Sequence, residues 1–344
     1  MKKILVPMLL TCLLGFTMMY SVDKKQMEKW VTIITEKDAP TKMQKLEEFH
    51  AEYGDKNDQM TRLIYMNLTI TAYQIQKFDK TIEYGEKALE SKEIESSDKL
   101  KLYLSLANAY FITKTDMEKA NNYANLVIEL AKSLREAVKT TQLETQYIAP
   151  ALRLQAKIID SKGKSLKNTT EALNKALEAL KIDKTESSIK LVLPLATEVN
   201  KQGQIDLALV AYESVFEVKP SAELAKAIGF IYLKKGNDAK TVEFLKASYE
   251  LQKTAKLAFD LGILYNKTQD IDNAINYFAE SFVLYEKAGN DPDGMTKAKS
   301  TLEHLYFNIK AKDIASQDEK EKGYQELMAA ARTRLGIVPT APVS

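Results

Sequence analysis

Three consecutive stretches of this chain align without gaps at a fixed interval of 33 residues. They run from Leu195 to Pro220, Ile228 to Lys253 and Leu261 to Glu286. Fixed-period self-similarity constrains a fold more than composition does, because each period must be one small structural unit. Columns recur at the same interval. Ala196, Gly229 and Gly262 are small, Val199, Tyr232 and Tyr265 are apolar or aromatic, and Ala208, Thr241 and Ala274 are small again. Leu209, Val242 and Ile275 are aliphatic, and Tyr212, Leu245 and Phe278 are large. Leu195, Ala196 and Val199 share one face of a first helix, and Ala208, Leu209, Tyr212 and Val215 share one face of a second. The small column predicts close approach of the two helices. Gly203 and Gly236 fall where the first helix must stop, and Pro220 where the second cannot continue. A lone helix pair cannot bury these faces, so the units must stack.

Weaker copies lie upstream. Leu104 to Leu130 carries Leu106, Ala107, Tyr110, Ala120 and Ala124, and Met66 to Glu90 carries Tyr73, Phe78, Ile82, Ala88 and Leu89. Thr169 to Asp183 reads as a second helix, with Gln142 to Asp160 as its first. The second-helix anchors Thr81, Ala120, Ala172 and Ala208 are spaced by 39, 52 and 36 residues, so longer helices or loops are inserted in the first half. Pro150 and Pro194 predict a kink or a late helix start.

In the clear units, Leu261, Gly262, Tyr265, Ala274, Ile275 and Phe278, with Ile228, Gly229, Tyr232 and Gly236, give the chain its resemblance to the tetratricopeptide repeat (TPR) family. It departs from that pattern in lacking the early Trp and in its 33-residue spacing. The resemblance implies an all-α fold, an α-solenoid of stacked antiparallel helix pairs coiled into a right-handed superhelix. The expected layout is a signal segment at 1–22, an opening helix pair at 23–60 and degenerate repeats at 61–190. Clear repeats follow at 191–287, capping helices at 288–336 and a disordered tail at 337–344. Within the cap, Thr296 to Lys312 predicts a helix with Leu302, Leu305 and Ile309 on one face.

The N-terminus reads as an export signal. Lys2 and Lys3 precede an uncharged, mostly apolar run from Ile4 to Tyr20, and charge resumes at Asp23. A cleaved signal peptide is the first reading and an uncleaved anchor the second, since no A-x-A site is present. Cys12 makes only a faint lipobox, with Thr11 before it. Outside this segment Lys and Arg balance Asp and Glu, so nothing draws the body toward nucleic acid. Membrane contact is expected only through the N-terminal segment, if it stays uncleaved.

Chemistry is hard to place on this chain. No phosphate loop, dinucleotide loop, metalloprotease helix or nucleophile elbow is present. The histidines are His50 and His304, each inside an amphipathic helix, and the one cysteine lies in the signal segment, so no Cys/His zinc cluster is expected. Asp291 to Gly294 reads as a turn. The expectation is no catalytic residue, no metal and no cofactor.

The resemblance implies that first helices line a concave groove. The candidate groove residues are Lys190, Thr197, Asn200 and Lys201 in the first clear unit. They are Lys226, Phe230, Leu233 and Lys234 in the second, and Phe259, Ile263, Asn266 and Lys267 in the third. Asn67, Thr71, Leu104 and Asn108 are earlier candidates. Lys and Asn among apolar anchors suit an extended peptide, whose backbone and side chains such groups would hold. Pro194, Ala227 and Asp260 break the family's clamp for a peptide's terminal carboxylate, so that ligand is not carried over. The expected function is a non-enzymatic protein-interaction scaffold of the cell envelope, binding a protein or peptide partner. An envelope enzyme or accessory subunit acting on peptidoglycan is the alternative.

Overall fold

Alternation of apolar and polar residues at helical spacing leaves little for strands, and in the computed structural model every regular element among the described residues is a helix. It describes residues 24–54, 58–90, 94–138 and 141–337. The expected signal segment (1–22) and the tail after residue 337 lie outside the described residues. The chain divides into two compact units between Leu191 and Val192.

The first unit opens with α1 (Lys24–Ile34) and α2 (Ala39–Tyr53), followed by α3 (Asp58–Gln74), α4 (Phe78–Leu89), α5 (Ser96–Thr113) and α6 (Met117–Val138). A single π-turn (Glu144–Ile148) leads into α7 (Ala149–Ser161), then α8 (Leu166–Asp183). Pro150 follows directly on the π-turn inside one helical run that begins at Gln142, so the helix does not start late there, and the wider π-turn is the local adjustment beside it. Trp30, Phe49 and Ile64 anchor the core of the opening helices, and Leu106, Tyr110 and Leu152 anchor the next. Between the later pairs, the Glu86 carboxylate accepts hydrogen bonds from the Tyr110 and Tyr123 hydroxyls and from the Lys119 ammonium. These bonds hold the Glu86 carboxyl below the usual Glu range against the opposing, individually larger effect of burial.

Helix α9 (Glu186–Lys201) crosses from one unit into the other with Pro194 inside it, so no late start occurs there. In the second unit α10 (Ile205–Val218), α11 (Ala222–Lys234), α12 (Asp238–Leu251), α13 (Ala255–Lys267) and α14 (Ile271–Ala288) follow. The repeat is visible in the bounds: α13 is α11 moved on by 33 residues, and α12 is α10 moved on by the same interval. It is also visible in the caps. The side chains of Ser221 and Thr254 accept from the backbone N–H of Leu224 and Leu257, starting the first helices. Asn237 and Asp270 do the same for the second helices. After each first helix the chain turns through a left-handed residue. Gly203 (φ +85°) and Gly236 (φ +72°) fill that place without strain, while the third copy puts Gln269 there at φ +63°.

The small column does what its spacing implies. A Cβ added at Gly262 would lie 2.8 Å from two carbons of the Phe278 ring, and one at Gly229 would lie 2.7 Å from Leu245 Cδ2. The second helices are tied back to the preceding first helices by a repeated bond. Ser248 Oγ donates to the Ala222 carbonyl and Ser281 Oγ to the Ala255 carbonyl, each at 2.8 Å. The helix-pair architecture implied by the tetratricopeptide resemblance is therefore realised in these units, down to the side chains.

The end of the second unit departs from the expected cap in one respect. Helix α15 (Pro292–Leu305), capped by Asp291, is followed by a π-turn (Tyr306–Lys310) and α16 (Gln317–Arg334). Leu302 and Leu305 are buried, but Ile309 is 46% exposed. The wider turn, closed by Ala311 N–H donating to the Tyr306 carbonyl, rotates Ile309 off the shared face and buries Ala311 instead.

Candidate functional site

The candidate site is the face of the second unit formed by its first helices. On α11, Glu223, Lys226, Ala227 and Phe230 recur every three or four residues and so share a stripe. They line an open hollow completed by Gln252 and Leu257. On α13, the same register positions are Lys256, Phe259, Asp260 and Ile263. They line a second hollow with Tyr285, Gly294 and Lys297. Gln252 and Tyr285 are also related by 33 residues. The repeat thus builds one kind of hollow twice and furnishes it differently.

The first hollow is lined by a half-buried aromatic, Phe230, and by an exposed cation, Lys226. Lys226 enters no hydrogen bond or ion pair among the described residues. The second is less apolar, and both of its lysines are engaged. Ile263 is 47% exposed, the Lys256 ammonium lies 3.7 Å from an Asp260 oxygen, and the Lys297 ammonium lies 5.3 Å from the centre of the Phe259 ring. Burial, with the Asp291 and Asp260 carboxylates nearby, raises the Tyr285 phenol above its ordinary pKa.

Lys234 and Lys267 occupy equivalent positions at the ends of α11 and α13, yet their states differ. Lys267 Nζ donates to both oxygens of Asp238, at 2.8 Å each. The residue 33 places before Asp238 is Ile205, which has no charge to offer. Lys234 accordingly enters no ion pair among the described residues, and it is exposed.

The other sequence-predicted residues fall as follows. Lys190, Asn266 and Leu233 are exposed and Asn200 is half-buried. Lys201 lies 3.9 Å from Glu198. Thr197 donates to the Leu193 carbonyl and accepts from the Tyr212 hydroxyl, so its hydroxyl is already engaged. Phe259, expected as an exposed anchor, is only 9% exposed and packs edge-on against Phe278 at 5.2 Å. It is hollow wall and core at once. The earlier candidates do not present a groove surface. Thr71 is buried, Leu104 packs on the core, and the amides of Asn67 and Asn108 donate to the carbonyls of Leu63 and Leu104. Glu223, Gln252, Lys256, Tyr285 and Lys297 were not among the candidates. Their signal was the 33-residue interval applied to residues outside the apolar columns.

His50 packs tilted against Tyr65 at 4.8 Å inside the first unit, and His304 is hydrogen-bonded through Nδ1 to the Asn308 amide. Among the described residues no three of His, Cys, Asp and Glu are grouped as a metal ion would require, and no helix is long and apolar enough to cross a membrane.

No family model matches the chain, and no curated protein matches it. Among solved structures the chain is similar to the apo form of RapI, at 14% identity over 91% of this chain and 96% of that one, with a TM-score of 0.40. It is similar to a tetratricopeptide repeat protein from Parabacteroides merdae, at 14% identity over 82% and 98%, with a TM-score of 0.39. It is also similar to YrrB, described as a TPR protein with an unusual peptide-binding site, at 18% identity over 62% and 94%, with a TM-score of 0.36.

Proposed function

We propose that this chain is a non-enzymatic scaffold of the cell envelope that holds an extended segment of a partner protein along the first-helix face of its second unit. The observation that carries the reading is the pair of register-equivalent hollows. Each is lined by apolar side chains, and Lys226 at the first hollow, with Lys234 one helix turn past Phe230, has no carboxylate partner among the described residues. Apolar linings of this kind take a side chain, and flanking polar groups fix the backbone. Export is supported by Lys2 and Lys3 followed by the uncharged run Ile4 to Tyr20. A reporter active only outside the cytoplasm, fused after residue 30, should give signal; a silent fusion sinks the envelope reading.

The binding reading is tested by selecting peptides from an unbiased displayed library on the immobilised chain. Ile263→Asp, an exposed site in the second hollow, should weaken the enriched peptides at least about tenfold, the loss of one anchor. Lys246→Ala, on a second helix, should leave them unchanged. Peptides that ignore Ile263→Asp and respond to Lys246→Ala would place binding elsewhere.

A further inference from the structure

We infer that the α11 stripe selects a partner segment with the pattern acid, any residue, apolar, any residue, acid. The inference rests on the peptide-binding reading above and gives the occupant its chemistry. Lys226, Phe230 and Lys234 lie at i, i+4 and i+8 on one helix, so they form a slanting row with a rise of about 6 Å between neighbours. An extended chain places every second side chain on the same side, about 6.6–6.8 Å apart. A strand running along α11 therefore sets three alternate side chains opposite these three residues. The central side chain enters the hollow over Phe230, and the outer two meet the ammonium groups.

The charge state of the row decides the sign. Lys226 and Lys234 have no carboxylate within ion-pair distance among the described residues, whereas the equivalent row on α13 is Phe259, Ile263 and a Lys267 already held by Asp238. The first hollow is lined by Lys226 and Glu223, and the second by Lys256, Lys297 and Asp260, with the Asp291 carboxylate near Tyr285. The charge that sets the sign is therefore that of the α11 row itself, where Lys226 and Lys234 outnumber Glu223. An acidic partner gains from both unpaired lysines; a basic one meets uncompensated repulsion. The pattern is internal to the partner and uses no chain terminus.

The probe is a peptide with fluorescein at its N-terminus, a C-terminal amide and the core Asp-Thr-Leu-Thr-Asp between glycines. Fluorescence anisotropy against the full chain in low salt should show it binding at least about tenfold tighter than the Asn-Thr-Leu-Thr-Asn peptide. The Lys-Thr-Leu-Thr-Lys peptide should bind weakest. Raising the salt to 0.5 M should erase most of the gap, since the Debye length then falls to about 4 Å. The double variant Lys226→Glu with Lys234→Glu should reverse the order and favour the lysine peptide. Both sites are exposed, so a thermal melt of the double variant should match that of the unaltered chain. Equal binding of the acidic and neutral peptides, binding by none of the three, or an order that the double variant leaves unchanged overturns the inference. Library peptides that are lost on Ile263→Asp but show no acidic preference would overturn it while the first-helix face stands as the binding surface. Library peptides indifferent to both sets of variants would remove that surface as well.

Discussion

Gly262→Leu tests the repeat register at its tightest point. Gly262 is buried in the middle of α13, and an added Cβ would stand 2.8 Å from Phe278 Cδ1 and Cε1, against an ordinary contact of 3.4–4 Å. The ring must retreat by at least ~0.6 Å for Ala alone. It has little freedom to do so, because Phe278 is 1% exposed and Phe259 braces it edge-on. Overpacking a filled core costs about 1–3 kcal/mol, and Leu adds three further carbons to the clash, which puts the loss near the top of that range. Helix propensity acts the other way, since Gly inside a helix is about 1 kcal/mol worse than Ala. The net expectation is ~1 kcal/mol of destabilisation for Gly262→Ala and ~2 kcal/mol for Gly262→Leu. Urea unfolding followed by helical circular dichroism measures both. Combining Gly262→Ala with Phe278→Leu makes room for the new methyl, so the double variant should lose less than the two single losses added together. A Gly262→Leu chain with an unmoved midpoint would mean that α13 and α14 do not meet through this column.

Gln269→Gly, at the left-handed turn where the two preceding copies carry Gly, should stabilise the chain by ~1 kcal/mol, read as a rise in melting temperature. Glu86→Gln should lower stability at pH 7 by ~1 kcal/mol, a charge-assisted contribution reduced for partial exposure. Because the folded Glu86 pKa lies below its unfolded value, its contribution is complete above the ordinary Glu range and is lost as pH falls through the lowered folded pKa. Wild-type and variant melts should therefore draw together as the pH is taken down below the ordinary Glu range, and a gap that does not narrow on acidification would contradict the network.

The second unit was legible in the sequence because its columns repeat without insertion, so one alignment predicted the helix pairs, the close approach at Gly262 and the glycine turns. The first half was less so. Its helices are longer, and the spacing of its anchors varies, so no interval carried Thr71 or Asn108 to a reliable face. Their burial and local hydrogen bonds follow from packing that only coordinates describe. At the site, Lys226, Phe230 and Ile263 were found because they lie off the apolar columns. Phe259 was misjudged because its helix position faces the groove and the Phe278 ring together. The difference between Lys234 and Lys267 depends on whether residue 205 or 238 is acidic. The sequence holds that fact, but only the contact between the end of a first helix and the start of the preceding second helix gives it meaning. Ile309 was lost to the π-turn, which no spacing rule anticipates.

The central claim is that a partner lies on the first-helix face, and photocrosslinking in the native host tests it most directly. Benzoylphenylalanine would be placed in turn at Lys234 and Ile263 on the first helices, and at Lys246 and Val210 on the second helices, all four exposed. The account predicts a discrete heavier adduct on irradiation from 234 and 263 and none from 246 and 210. Adducts that form only from 246 or 210 would contradict it, and with it the assignment of the hollows as the binding site.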